Sequence, residues 1–165
     1  MSEARDVPIS ADTVSSSLRE KVSMVVSYVN QQIAPLGITT DGEPPLHVKD
    51  EGGNAYATVT NTIRAAENGG FRFWAKLYAN YLPTFSQETA IINDIVMPRK
   101  GEGLGSQFLA AWEDGMKSVG VTHFAATNIR NLDAMRFWEK HGYTPFGTIH
   151  NDGTPYAMIK GNSTI

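Results

Sequence analysis

Residues 99–106 read Arg99-Lys100-Gly101-Glu102-Gly103-Leu104-Gly105-Ser106, with three glycines at alternate positions. Glycines so spaced let the backbone bend tightly and approach a ligand with no side chain in the way. The segment before the loop reads as an apolar strand and the segment after it as a helix. That helix would aim its free N–H groups and positive dipole end at the same spot. Arg99 and Lys100 add two cations. The combination is an anion cradle suited to a phosphate or pyrophosphate; the plain alternative is a glycine-rich turn joining a strand to a helix. Two other phosphate loops fit poorly. No Gly-Lys-Ser/Thr follows at nucleotide-triphosphate spacing. A dinucleotide fold would want an acid about 20 residues on, at the end of the next strand, and Val121 to Asn128 holds none.

The elements that must position this loop follow from periodicity. Leu18, Val22, Val25, Val29 and Ile33 form a helical stripe ended by Pro35 and Gly37. Ser17 to Glu20 has capping-box spacing, so the spacing predicts a helix over 16–34. A period of two then takes over. Leu46 to Lys49, Ala55 to Ile63, Phe71 to Tyr81 and Thr89 to Met97 read as strands joined by short turns, an antiparallel meander. Past Pro98, Gly105 to Val119 carries Phe108, Leu109, Trp112 and Met116 at helical spacing. Val121 to Asn128 is an apolar strand, Asp133 to His141 a short helix, and Tyr143 to Ile149 and Pro155 to Ile159 are strands around the turn at Asn151-Asp152-Gly153. Ile91–Met97 and Val121–Thr127 can lie parallel across a crossover helix.

The chain has 165 residues, 41% of them hydrophobic and 19% charged, which suits one domain with its own core. The first dozen residues read as a loosely held arm of that single domain. Without cysteine there is no disulfide, Cys-ligated zinc or thiol nucleophile. A net charge of −3 supplies no basic face for a polyanion, which argues against nucleic acid. Met24 to Val29 is the longest membrane candidate and falls far short of the roughly 20 apolar residues of a span. A soluble cytoplasmic protein is the expectation. His47, His123, His141 and His150 show no ligand spacing, so no metal is expected.

Lys100-x-x-Gly103-x-Gly105 after an apolar strand resembles the Arg/Gln-x-x-Gly-x-Gly/Ala acyl-CoA pyrophosphate loop of the GNAT superfamily of N-acetyltransferases. Lys100 stands where that family usually has Gln or Arg. The stretch from Asn128 to Tyr143, with Asn131, Ala134, Phe137-Trp138, Glu139-Lys140 and Gly142-Tyr143, resembles the family's second signature. Ile92-Asn93-Asp94-Ile95-Val96-Met97-Pro98 resembles the strand lining its active site. The three motifs run in the family's order over about a third of the chain. The family usually places a first strand before its first helices; here Val7 to Ile9, or Leu46 to Lys49 after the helix, could serve.

The resemblance implies an α/β fold with a mixed, mostly antiparallel central sheet, a V-shaped splay and helices on both faces. It implies acetyl-CoA as co-substrate, with no metal, and direct transfer of the acetyl group to a primary amine through a tetrahedral intermediate. The acceptor, a small molecule or a protein amine, is not named by the sequence, and a homodimer is left open. By the same resemblance the pantetheine arm lies between the splayed strands, near Val96 and Met97. Arg99, Lys100, Gly101, Glu102, Gly103, Leu104, Gly105 and Ser106 hold the pyrophosphate, and Asn131 lies beside the arm. Asp94 is the candidate base, directly or through water, with a structural carboxylate as its competing role; Glu88 is the reserve base. Trp138 stands where many family members have a Tyr that protonates the leaving thiolate, and an indole N–H only donates a hydrogen bond. Trp138 is then packing against the cofactor arm or the core, and Tyr143, Tyr156, His141 or water supplies the proton, or the thiolate leaves unassisted. Loss of catalysis, leaving a silent module that holds CoA or a protein partner, is the rival reading. Trp74 and Tyr78 on the aromatic strand are candidates for an acceptor pocket, against the plainer reading of sheet core.

Overall fold

The computed structural model describes residues 11–36, 46–51, 54–59, 72–78, 88–96 and 103–161. Helix α1 (Ala11–Ile33) runs into a 3-10 turn at Ala34–Leu36. Strands β1 (Leu46–Glu51), β2 (Asn54–Val59), β3 (Arg72–Tyr78) and β4 (Thr89–Val96) follow. Then come α2 (Leu104–Ser118), β5 (His123–Thr127), α3 (Leu132–Lys140), β6 (Thr144–Ile149) and β7 (Pro155–Lys160). One seven-stranded sheet has the order β1-β2-β3-β4-β5-β7-β6. All neighbours are antiparallel except β4 and β5, which pair in parallel. The sheet is therefore mixed and mostly antiparallel, as the strand patterns imply. Among the described residues its first strand is Leu46–Glu51, after the helix; Val7 to Ile9 lies outside them.

The period-two pattern reads directly as burial. Phe73, Ala75 and Leu77 are buried, and Trp74 between them is 44% exposed. The helical stripe behaves the same way: Val22, Val25, Val29 and Ile33 are buried and Leu18 packs against them. The start of α1 differs from expectation. The helix begins at Ala11, so Ser17 lies inside it. Cap preference amounts to only about 1 kcal/mol, too little to stop a helix whose preceding residues can also turn, and Ser10 is as good a cap type as Ser17. At the other end Asn30 ties α1 to the sheet: its amide donates to the Leu46 carbonyl and its carbonyl accepts from the Leu46 N–H, both at 2.9 Å.

The placing of the helices follows from the connections between these strands. β4, β5 and β6 step across the sheet in one direction, and right-handed crossovers then place α2 and α3 on the same face. The contacts agree. Phe108 and Trp112 of α2 meet Phe73 edge-on, with ring centroids at 4.7 and 5.1 Å. Trp138 of α3 meets Tyr143, whose hydroxyl donates to Glu113 of α2. α1 covers β1, β2 and β3 on that face too.

α1 and α2 approach closely at Gly115, where an added Cβ would lie 3.1 Å from both Tyr28 Cδ2 and Val25 Cγ1. Val25 is fully buried and has nowhere to move. Gly115→Leu is expected to lower unfolding free energy by about 1–3 kcal/mol through overpacking, measured by urea denaturation.

Candidate functional site

β4 is paired on both sides only for half its length. Its parallel ladder with β5 runs from Thr89 opposite His123 to Ile92 opposite Ala126 and stops. Its antiparallel ladder with β3 continues to Val96 opposite Arg72. Asn93 is an extra residue in that ladder, since Trp74 pairs with Asp94 and Ala75 with Ile92. A bulge bends its strand and reverses which side chains face which way. Ile92 and Ile95 therefore both join the core face, while Asp94 turns to the face that carries Trp74. Where the backbones part, side chains bridge them. Asn93 Nδ2 donates to Thr127 Oγ1 at 3.0 Å, and Asn128 Nδ2 donates to the Asn93 carbonyl at 2.6 Å. Asn128 holds φ 58°, a left-handed conformation that Asn tolerates better than most residues.

A cavity of about 610 Å³ opens at this parting. On one wall are Asp94, Ile95 and Val96 of β4, and on another Gly103 to Ser106 at the start of α2. Arg130, the cap residue Asn131, and Asp133, Ala134, Phe137, Trp138 and Lys140 of α3 line it further. Gly103 is the cap residue of α2, at φ 71° with no side-chain cap. The first backbone bond of the helix is Gln107 N–H to the Gly103 carbonyl, so the N–H groups of 104–106 have no partner within the helix. Ser106 Oγ lies 2.9 Å from His141 Nε2. Burial, with the Lys140 charge adding to it, holds the His141 pKa below its ordinary 6.5.

The sequence candidates divide sharply. Asp94, Val96, Gly103, Leu104, Gly105, Ser106, Asn131 and Trp138 all line the cavity. Met97, Arg99, Lys100, Gly101 and Glu102 lie outside the described residues. Asn131 also caps α3, its Oδ1 accepting the Ala134 N–H at 2.8 Å. Trp138 is 4% exposed and wedged between Phe137 and Tyr143, a packing group rather than a proton donor. Trp74 borders Asp94 across the strand pair, whereas Tyr78 pairs with Thr89 at the far end and stacks beneath Lys76.

Two nominations do not meet the cleft. Glu88 precedes β4 at its opposite end, about 20 Å from Asp94 along the strand, and forms an ion pair with Lys21 of α1. Tyr143 is 1% exposed, and its hydroxyl donates to Glu113 Oε2 at 2.7 Å. Burial, and after it the Glu113 carboxylate, push its pKa far above the ordinary tyrosine value. It is a structural phenol. Lys160 completes this buried group, its Nζ donating to Glu113 Oε1 at 2.8 Å. Of the other proton donors considered, His141 meets the cleft through Ser106, and Tyr156 stacks on His150 at 3.6 Å in a neighbouring cavity.

Sequence reasoning missed Asn93, Asn128, Glu113 and Arg130. Each acts through a partner 30 or more residues away, and no local spacing signals such pairs. Among the described residues no cluster of His, Asp or Glu could hold a metal, and no helix is long and apolar enough to cross a membrane.

No protein-family model matches the chain, and no curated protein matches it significantly. Solved structures similar to it include Arabidopsis thaliana Naa50 in complex with the bisubstrate analogue CoA-Ac-MVNAL, at 20% identity and a TM-score of 0.42 over 56% of this chain. That match spans 65% of the Naa50 chain, just under two thirds. A second is yncA from Salmonella typhimurium with its cofactor acetyl-CoA, at 14% identity and a TM-score of 0.41 over 87% of this chain and 89% of that one. A third is a GNAT-family protein from Desulfovibrio desulfuricans, at 14% identity and a TM-score of 0.43 over 82% of this chain and 91% of that one.

The lowered His141 pKa has a consequence for stability. The unfolded chain takes up this proton near pH 6.5, and the folded chain resists it until lower pH. The unfolded state thus binds more protons in that interval, and stability falls as pH drops below about 6.5. His141→Gln removes this component, so its Tm is expected to fall less than wild type between about pH 6.5 and 5, read by scanning calorimetry at matched ionic strength.

Proposed function

We propose that the chain is an acetyl-CoA-dependent N-acyltransferase that acetylates a primary amine. The observation that carries this reading is the parting of β4 from β5 after Ile92 and Ala126, with a cavity of about 610 Å³ there between the starts of α2 and α3. Past Ile92, β4 offers β5 an edge of peptide groups, and an extended arm rich in amides can pair with such an edge like an added strand. The N–H groups at 104–106 and the dipole of α2 suit a pyrophosphate, and Lys140 lines the same cavity, with Asp133 as its acidic counterpart. Leu104, Phe137 and Trp138 supply apolar surface for the arm.

In this reading a backbone N–H of β4 near Val96 polarises the thioester carbonyl and stabilises the oxyanion. Asp94 draws in the ammonium form of the acceptor and takes its proton, directly or through water. The amine then attacks, the tetrahedral intermediate collapses and the thiolate departs. A thiol of pKa near 8.5 leaves readily as thiolate, so solvent water suffices to reprotonate it and a phenol at the Trp138 position is dispensable. The silent binding module is the reading favoured by one observation: among the described residues, no tyrosine lines this cavity.

Calorimetry with acetyl-CoA and with CoA tests the cradle, and release of free thiol with amines separates enzyme from silent module. Micromolar binding is expected; no heat at high micromolar ligand overturns the proposal. Gly103→Val places a β-branched residue at φ 71°, which distorts the turn at a local cost of roughly 1–2 kcal/mol. Acetyl-CoA affinity is expected to drop at least tenfold while thermal unfolding stays cooperative. Asp94→Asn is expected to cut kcat by roughly 100-fold or more, with the acetyl-CoA Kd unchanged within twofold; full activity would move the base elsewhere.

A further inference from the structure

Arg130 joins two cavities. It lines the cleft described above and a second cavity of about 670 Å³, whose walls include His150, Asn151, Thr154 and Tyr156. Its guanidinium NH2 lies 3.7 Å from Asp94 Oδ1, at 63% side-chain exposure against 21% for the carboxylate. That distance is an ion pair but too long for a charge-assisted hydrogen bond. An exposed pair of this kind contributes little to stability. It does hold two opposite charges side by side at the mouth of the slit, with Asp94 two residues before Val96 on the same strand.

We propose that the acceptor is a free α-amino acid, or a small amine with a carboxylate on the adjoining carbon. Its ammonium lies against Asp94, its carboxylate against Arg130, and its side chain enters the second cavity. The inference rests on the acyl-transfer reading and supplies its substrate class. Bond lengths place the ammonium nitrogen and carboxylate oxygens of an α-amino acid about 3 Å apart. That matches the spacing of the Asp94–Arg130 pair with the signs reversed, so four charges alternate when the ligand is seated. A planar guanidinium suits a carboxylate better than a lysine ammonium would. A peptide N-terminus presents a neutral amide where the carboxylate should be, and a lysine side chain carries its amine too far from any carboxylate. The second cavity offers a tilted His150–Tyr156 ring pair, centroids 3.6 Å apart, as a surface for the side chain.

The transfer balances. The ammonium gives its proton to Asp94 or, through water, to solvent. The nitrogen lone pair forms a C–N bond to the thioester carbonyl carbon, the nitrogen gives its second proton to water, and the C–S bond breaks with its electron pair on sulfur. The thiolate takes a proton from water, giving CoA and the N-acetyl amino acid. The product has lost the positive charge that held it to Asp94, which favours its release.

The test measures thiol release from acetyl-CoA with the twenty free amino acids, each beside its α-carboxamide, and with simple monoamines. At least one amino acid is expected to exceed its carboxamide by roughly 30-fold in kcat/KM, the scale of a charge-assisted contact. In Arg130→Gln the ratio is expected to fall within threefold, through a raised KM for the acid, with the acetyl-CoA Kd unchanged. Equal rates on acid and amide, a preference for monoamines, or a weakened acetyl-CoA Kd in the variant overturns the proposal. Saturation-transfer NMR of the same amino acids without acetyl-CoA separates the two readings. Should acetyl-CoA fail to bind, Arg130-dependent amino-acid binding upholds this site while acyl transfer falls. Should acetyl-CoA bind and no amino acid be bound or acetylated, the acceptor class falls and acyl transfer stands.

Discussion

A strand pair satisfies its backbone only while the ladder runs, and ending a ladder inside a sheet leaves peptide groups that need other partners. Between β4 and β5 the ladder ends after four residue pairs, and three features let it end there. The bulge at Asn93 bends β4 away while β3 keeps hold of its other edge. The amides of Asn93 and Asn128 bridge the gap at its apex. Below the apex, Ala90, Ile92, Phe124 and Ala126 are 0–2% exposed and keep the strands from parting further back. The cleft is thus a defect of fixed position, closed at its apex by core packing and the side-chain bridge above it, and open beyond.

The helices depend on that same point. Because each crossover is right-handed, α2 leaves β4 and α3 leaves β5 on one face, and the start of each borders the opening. Their relative placement is fixed farther back. Glu113 of α2 receives Tyr143 from the far side of α3 and Lys160 from β7. A carboxylate at 9% side-chain exposure with both oxygens bonded is costly to disturb, because losing one partner strands a buried charge. Tyr143 in turn backs Trp138, the wall of the cleft. A phenol held so firmly protonated is a poor participant in proton traffic and a good strut.

What the sequence discloses divides along contact range. Burial alternates along β3 as the residue types do, and Gly103 stands at a positive φ where the loop spacing asks for a glycine. These are local effects, carried by periodicity and by a backbone conformation only some residues accept. The roles of Glu88 and Tyr143 were misread because each is decided by a remote partner, Lys21 in one case and Glu113 in the other. The bulge leaves only a slip in the apolar alternation, with the core-face residues Ile92 and Ile95 three apart, and its place depends on what β3 lies opposite. The helix start at Ala11 was hidden by several equivalent cap types in a serine-rich run.

An acidic chain is compatible with the proposed binding of an anion in the cleft, because screening makes charge a local property. At physiological ionic strength the Debye length is about 8 Å, so a net charge of −3 spread over the whole molecule says little about one opening. Charges of both signs stand around this opening. The start of α2, worth roughly half a positive charge at the end of a helix dipole, lines it together with Lys140 and the acid Asp133. Asp94 and Arg130 stand together at the β4 side, where they nearly cancel. In the proposed reading one region takes the pyrophosphate and the other takes the paired charges of the acceptor. Two ligands of different electrostatic character can then approach the same parting of the strands without competing for the same groups. That division follows from where the ladder stops, since the bulge that opens the slit also turns Asp94 onto the face opposite the core.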